Sequence, residues 1–308
     1  MFPSEVKKAL TSRISKVGLI GVPYNVGWTG PGIDEGARAF RDAGLVGELK
    51  RFAIEVVDYG DIYVKLPPRD DSNPKLLNPK QVGAVCKALA IKVHSILQSG
   101  HFPLIIGGED SVLMGIIEGF RRALGPKIGL VYMDAHGDFN TPETTPSGLI
   151  GGMDVAITTG KGPKELVELF GHSPLLPEEN IVLYGTRDLD AMEEIALAES
   201  TVSVYWREKI REVGVENAVK KILGDLEPKC RNVYVHVDLD VLDEADMSAQ
   251  SLPVQDGLSM REFRETLQAL VKSGKLCGIA VMVFNAAKDP KGVEARKVVR
   301  LIADVLCA

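Results

Sequence analysis

The stretch Gly129–Asn140, GLVYMDAHGDFN, runs from five mostly apolar residues into Asp134, His136, Asp138 and Asn140 at every second position. An apolar run bounded in this way reads as a buried strand. Side chains at i and i+2 of an extended chain point the same way. The segment therefore presents two carboxylates and an imidazole on one side of a strand's carboxyl end.

Comparable runs recur along the chain. They are VGLIGV (17–22), AIEVVD (53–58), PLIIGG (103–108), IVLYGT (181–186), VSVY (202–205), VYVHVDLD (233–240) and CGIAVMVF (277–284). Helix-length stretches separate most of them, as at 78–100, 259–274 and 293–308. Strands alternating with helices imply parallel pairing through right-handed crossovers. Strands that are apolar throughout, rather than at alternate positions, are covered on both faces. The expected fold is α/β: a three-layer α/β/α arrangement with a mostly parallel sheet of about eight strands, in one domain spanning 1–308. PPRDDSNPK (67–75) is the one obvious flexible loop. Ligands of such sheets bind outside the carboxyl ends of the strands, so acids there carry the functional signal.

Composition narrows the function classes. The 308 residues are 45% hydrophobic and 25% charged with net charge −6, the mix of a soluble globular protein. No basic excess is available to neutralise phosphates, which excludes a nucleic-acid partner. The longest apolar runs fall far short of the ~20 residues of a membrane span. Residues 1–16 lack the apolar centre of a signal peptide and fit a short surface helix or a frayed lead-in. Cys86, Cys230, Cys277 and Cys307 form no CxxC pair and read as reduced and structural, in a cytoplasmic setting.

Three strands end in polar clusters: Gly107-Gly108-Glu109-Asp110-Ser111, Asp134 to Asn140, and His236-Val-Asp238-Leu-Asp240-Val-Leu-Asp243. Aspartates converging in one crevice repel unless protons or cations compensate them. Asp with His suits Mn²⁺, Zn²⁺ or Fe²⁺, and two ions bridged by shared carboxylates would hold and deprotonate a water. A DxD pattern at a strand end also occurs as a helix cap or a solvated turn. DAHGD directly after a buried-type strand is the more specific signal. Gly107-Gly108 is followed by neither a Walker lysine nor GxGxxG, so it reads as a tight strand-to-helix turn. Gly27, Gly30, Gly32 and Gly36 line an irregular loop after the first strand. His94 reads as structural, and His101 and His172 as loop or turn residues. His236 shares a face with Asp238 and is a candidate proton shuttle, or else a packed or hydrogen-bonding histidine.

Taken together, these motifs resemble the ureohydrolase (arginase/agmatinase) superfamily. GVPYNVGWTGPGIDEGARAFRDAGL (21–45) is similar to that family's opening strand-loop-helix, and GGEDS, DAHGDFNTPETTPSG, GTRD and HVDLDVLD follow in the family's order. The resemblance covers nearly the whole chain. It implies two Mn²⁺ ions held by Asp134, His136, Asp138, Asp238 and Asp240, with Asp134 and Asp238 bridging and Asp138 orienting a bridging hydroxide. Asn140, Ser147 and Asp190 match positions that contact the amino-acid end of substrate in arginases. It also implies a homo-oligomer, trimeric or hexameric.

Three departures stand beside the matches. Asp110 replaces the family's sixth ligand, a His, and retunes one metal site. Gly151 occupies the position of a proton-shuttling His. Val283 replaces a Glu that grips the guanidinium, and a buried cation robbed of its partner loses roughly 3–5 kcal/mol. The expected function is Mn²⁺-dependent hydrolysis of a linear non-peptide C–N bond of amide, ureido or amidine type. The bridging hydroxide attacks a trigonal carbon of a small molecule other than arginine. The alternatives are arginase- or agmatinase-type guanidine hydrolysis, and a catalytically idle homologue acting as a binding or regulatory protein.

Overall fold

The computed structural model describes residues 14–26 and 30–308. The lead-in before Ile14 and Gly27 lie outside the described residues. All eight expected strands are present: β1 (Lys16–Gly21), β2 (Glu55–Asp61), β3 (Phe102–Ile106), β4 (Ile128–Met133), β5 (Ile181–Tyr184), β6 (Ser203–Tyr205), β7 (Asn232–Asp238) and β8 (Leu276–Met282). They form one sheet in the order β2-β1-β3-β8-β7-β4-β5-β6. Every pairing is parallel.

Alternate residues of each strand enter two separate cores. Val131 and Met133 of β4, with Val233, Val235 and Val237 of β7, pack with the helices Val215–Leu226, Met260–Lys272 and Val293–Leu306. Leu130 and Tyr132, with Tyr234, pack with the helices Pro79–Gln98 and Leu113–Leu124 on the opposite face. Sheet residues buried on both sides explain the unbroken apolar runs in the sequence. The three expected helices appear at 79–98, 260–272 and 293–306. The helix Met260–Lys272 starts at a capping box formed by Ser259 and Glu262, which satisfies two orphan N–H groups reciprocally.

The chain passes from β3 to β4 over β8 and β7, so the carboxyl ends of β3, β8, β7 and β4 lie side by side. Asp110, Val283, Asp238 and Asp134 stand at or just beyond those ends. The turn after β3 requires its glycines. Gly107 and Gly108 have φ of 79° and 78°, and a Cβ on Gly108 would lie 2.3 Å from the Val22 carbonyl oxygen. The 67–75 loop has no regular structure, but it is tied down rather than free. The Asp70 N–H donates to Asn78 Oδ1 at 2.8 Å, and Asn78 Nδ2 donates to the Val26 carbonyl at 2.9 Å. Among the described residues no helix is long and apolar enough to cross a membrane. The four cysteines are unpaired.

Candidate metal centre and active site

Two groups of ligand atoms meet at the strand ends, each with its atoms within 4.8 Å of one another: Asp134, His136 and Asp240, and Asp110, Asp134 and Asp138. Asp134 belongs to both. Its backbone carries the register: the His136 N–H donates to Asp134 Oδ1 at 2.7 Å, curling the chain so that the imidazole returns over the carboxylate. His136 Nδ1 then lies 3.2 Å from Asp134 Oδ1 and 3.3 Å from Asp240 Oδ2. The same turn recurs on β7, where the Asp240 N–H donates to Asp238 Oδ1 at 2.7 Å. Asp238 lines the same cavity but stands outside both three-residue groups. Asp138 takes a left-handed backbone, φ 49°, which aims its carboxyl back toward β4. There the Tyr132 hydroxyl donates to Asp138 Oδ2 at 2.5 Å.

The electrostatics are those of a site awaiting positive charge. Burial, with Asp134 and Asp110 adding to it, holds the Asp138 carboxyl well above its ordinary range. Burial and the neighbouring Asp240 and Asp110 do the same to Asp238. Burial and Asp134 push Asp240 up to about 7. His136 is the counterpart: burial opposes its charge, but Asp240 and Asp134 outweigh that and hold it up to about 12. His136 in turn overcomes the burial of Asp134 and keeps that carboxyl below its usual value. Asp134 Oδ2 is buried and has no hydrogen-bond partner. An orphaned carboxylate oxygen among acids, shared by two ligand groups, fits a bound divalent cation.

Above the cluster lies a cavity of about 190 Å³. Nine of its lining residues are Asp or Glu, and none of the described ones is Lys or Arg. All six expected ligands line it, as do Asn140, Ser147, Asp190, Gly151 and Val283. At the outer end Asn140 Nδ2 donates to Asp190 Oδ2 at 2.9 Å, and the Thr145 and Ser147 hydroxyls lie 3.4 Å apart. His236 is placed differently from a proton shuttle. It is fully buried and does not line the cavity. Its Nε2 lies 2.7 Å from Asp110 Oδ1 and its Nδ1 2.7 Å from the Tyr234 hydroxyl. Its ring stacks on Tyr132 at 5.0 Å, as the parallel pairing of those two residues dictates.

Several residues of the site were given no role in sequence, although Glu109 stands in one of the polar clusters and Asp188 in GTRD. Glu109, Asp188, Glu193 and Leu252 line the cavity. Glu193 belongs to the capping box of the helix Ala191–Ala198 and also accepts the Phe139 N–H at 2.7 Å, so it ties the DAHGDF turn to that helix. Burial lifts it to about 7 against those donors. Asp154 is fully buried behind the cluster with both oxygens unpartnered. Tyr132, whose hydroxyl donates to Asp138, was not singled out in sequence either.

The comparison with known proteins agrees with this geometry. The model of the Arginase family matches residues 15–308. The chain belongs to the Arginase family. An arginase of Brevibacillus brevis is 33% identical over 289 residues, covering 93% of this chain and 96% of the relative. An arginase of Bacillus caldovelox is 31% identical over 291 residues, covering 94% and 97%. The crystal structure of the arginase from Bacillus caldovelox superposes with a TM-score of 0.89 at 31% identity, covering 95% of this chain and 98% of that one. The chain is thus a ureohydrolase-superfamily hydrolase of C–N bonds other than peptide bonds. The arginase-like three-layer fold read from the strand pattern is the one observed.

Proposed function

We propose that this arginase-family protein is a Mn²⁺-dependent hydrolase of the terminal C–N bond of an amino-acid-like substrate whose reacting end is amide, ureido or neutral amidine rather than guanidinium. The observation that carries the reading is the contrast between the two ends of one cavity. At the outer end Asn140, Thr145 and Ser147 offer amide and hydroxyl donors beside the acids Asp188 and Asp190. Donors beside carboxylates suit a zwitterion, the first holding its carboxylate and the second its ammonium. At the inner end Val283, only 8% exposed, borders the ligand cluster where a guanidinium would need a partner charge.

Asp110, Asp134, His136, Asp138, Asp238 and Asp240 would hold the two ions. When bound, the ions supply a nucleophile from water near neutral pH and positive charge for the tetrahedral oxyanion. The chain's own groups do the rest. Asp138, steadied by Tyr132 at one oxygen, takes a proton from the attacking water and returns it to the leaving nitrogen. Val283 keeps the inner end apolar, and the outer polar residues fix the substrate's register.

A second reading, guanidine hydrolysis, is favoured by the relatives' names and by Glu109. The Val283 N–H donates to the Gly108 carbonyl at 2.8 Å, so Glu109 adjoins Val283 on the cavity wall. A panel of amides, ureido acids and guanidines, assayed with added Mn²⁺ and scored separately for ammonia and urea, separates the two. Turnover of arginine or agmatine above the neutral substrates overturns the first reading. No turnover of any member, with metal bound, leaves a binding or regulatory protein.

A further inference from the structure

The two ligand groups differ in chemistry. Asp134, His136 and Asp240 contain an imidazole, whereas Asp110, Asp134 and Asp138 offer carboxylate oxygens alone. We infer that the centre is built for two different cations: Mn²⁺ on the His136 side, and on the Asp110 side a hard ion for which Mg²⁺ competes with Mn²⁺. The inference rests on the reading of this cluster as a binuclear metal centre and goes beyond it.

The oxygen-only character of the second site is enforced by what lies behind it. His236 stands within hydrogen-bond distance of Asp110, yet its nitrogens are both engaged, Nε2 with Asp110 Oδ1 and Nδ1 with the Tyr234 hydroxyl, each at 2.7 Å. With Tyr234 O–H donating to Nδ1, the Nε2–H donates to Asp110, and the imidazole has no lone pair left for a metal. Stacking on Tyr132 and complete burial fix the ring in that plane. The histidine therefore acts through Asp110: it occupies Oδ1 and leaves Oδ2 as the ligating oxygen. Tyr132 does the same for Asp138 by donating to Oδ2. Both carboxylates are thus presented as single, oriented oxygens.

A further acid stands behind this side. Asp154 lies beyond the ligands and is wholly buried. Its helix is joined to the site, since the Val155 N–H donates to the Asp138 carbonyl at 3.1 Å. Carboxylate-rich sites without nitrogen favour Mg²⁺, Ca²⁺ and Mn²⁺, while imidazole widens the margin of a transition metal over Mg²⁺. Losing the one nitrogen from a site narrows that margin there and leaves it intact on the His136 side.

The test is metal competition read by composition and spectroscopy. Metal-depleted full-length protein is loaded with Mn²⁺, challenged with excess Mg²⁺, desalted, and analysed for both metals and by electron paramagnetic resonance. The expected result is loss of one of two Mn²⁺ ions, one Mg²⁺ gained, and replacement of a spin-coupled manganese signal by that of an isolated ion. Asp110→His should retain both Mn²⁺ ions under the same challenge, and His136→Asp should lose both. The His136→Asp arm decides the matter if Asp110→His does not fold. Retention of two Mn²⁺ ions by the wild type overturns the inference while leaving the binuclear centre standing. Failure to bind Mn²⁺ at all overturns the proposed function itself.

Discussion

Removing metal should make this protein acid-loving. In the metal-free state Asp240 is raised from 3.8 to about 7, and Asp138, Asp154 and Asp238 are raised well above their ordinary range, by burial first and then by neighbouring acids, Asp134 among them in every case. A carboxyl raised in the folded state gives stability that is complete below about pH 3.8 and is lost as pH climbs through its folded value, because only the unfolded chain ionises freely over that interval. Asp240 alone spans about three pH units, which at about 1.4 kcal/mol each is ~4 kcal/mol. The other three acids act in the same direction. That loss is comparable to the whole stability of a typical domain, about 5–15 kcal/mol. His136, held charged up to about 12, also favours the lower pH. Asp134, held low, favours the higher pH, but its effect is confined below about 3.8. Thermal melting in EDTA from pH 5 to 8 crosses about two of those three units, about 3 kcal/mol for Asp240, and should therefore show Tm falling by about 6 °C or more at roughly 2 °C per kcal/mol. With saturating Mn²⁺ the dependence should flatten or reverse, because ions bind the deprotonated ligands. A metal-free protein whose Tm is flat or rises across that range, or one that gains no Tm from Mn²⁺ at pH 8, refutes the account of the acids as an uncompensated cluster.

Further substitutions probe the cavity. Val283→Glu should lower KM for guanidino substrates by about 10²-fold or more, the scale of restoring a buried ion pair, and weaken turnover of neutral ones; steady-state kinetics on both classes check it. Gly151 has nothing within 4 Å of a Cβ and no positive φ, so Gly151→His should fold with unchanged Tm and raise kcat by up to ~10²-fold, with a new limb in the pH–rate profile. Asn140→Ala removes the donor to Asp190 and should raise KM by roughly tenfold with kcat nearly constant, as expected of an interaction made with bound substrate throughout.

The fold was legible because its signals are local. The central strands are short apolar runs with buried residues on both faces, and GGEDS, DAHGD and DLD mark three of the carboxyl ends by residue type alone. The i, i+2 rule also placed His136 and Asp138 near Asp134, although the mechanism differs. The chain leaves β conformation after Met133, and the His136 N–H and the left-handed Asp138 do the converging. What stayed hidden depends on neighbours distant in sequence. That His236 turns away from substrate follows from β7 lying beside β4, which stacks it on Tyr132, and from Asp110 arriving from the end of β3. Asp154 has no pattern around it in GGMDVAI; its meaning comes only from being sealed behind the cluster. The 67–75 segment looked free because Pro, Asp and Ser mark loops, yet Asn78 and Val26 anchor it.

Val283 joins the backbone to the question of substrate. Its φ of 59° puts a β-branched residue in the left-handed region, where such residues cost of order 1–3 kcal/mol. An unbranched side chain, Glu included, is easier to hold there, and glycine easier still. Backbone preference therefore does not account for valine at this position. Its side chain faces the cavity beside the acids, and its N–H is spent on Gly108 at the start of the Glu109-Asp110 ligand turn. The locally unfavourable residue thus stands where it shapes both the inner wall of the pocket and the approach of Asp110, the proposed ligand at which the sequence departs from the resemblance. The proposed substrate, which needs no counter-charge at that wall, is consistent with both changes. Under the proposed function, an acid at Asp110 would add negative charge for a cation held below, and an apolar residue at Val283 would withdraw it from the substrate held above.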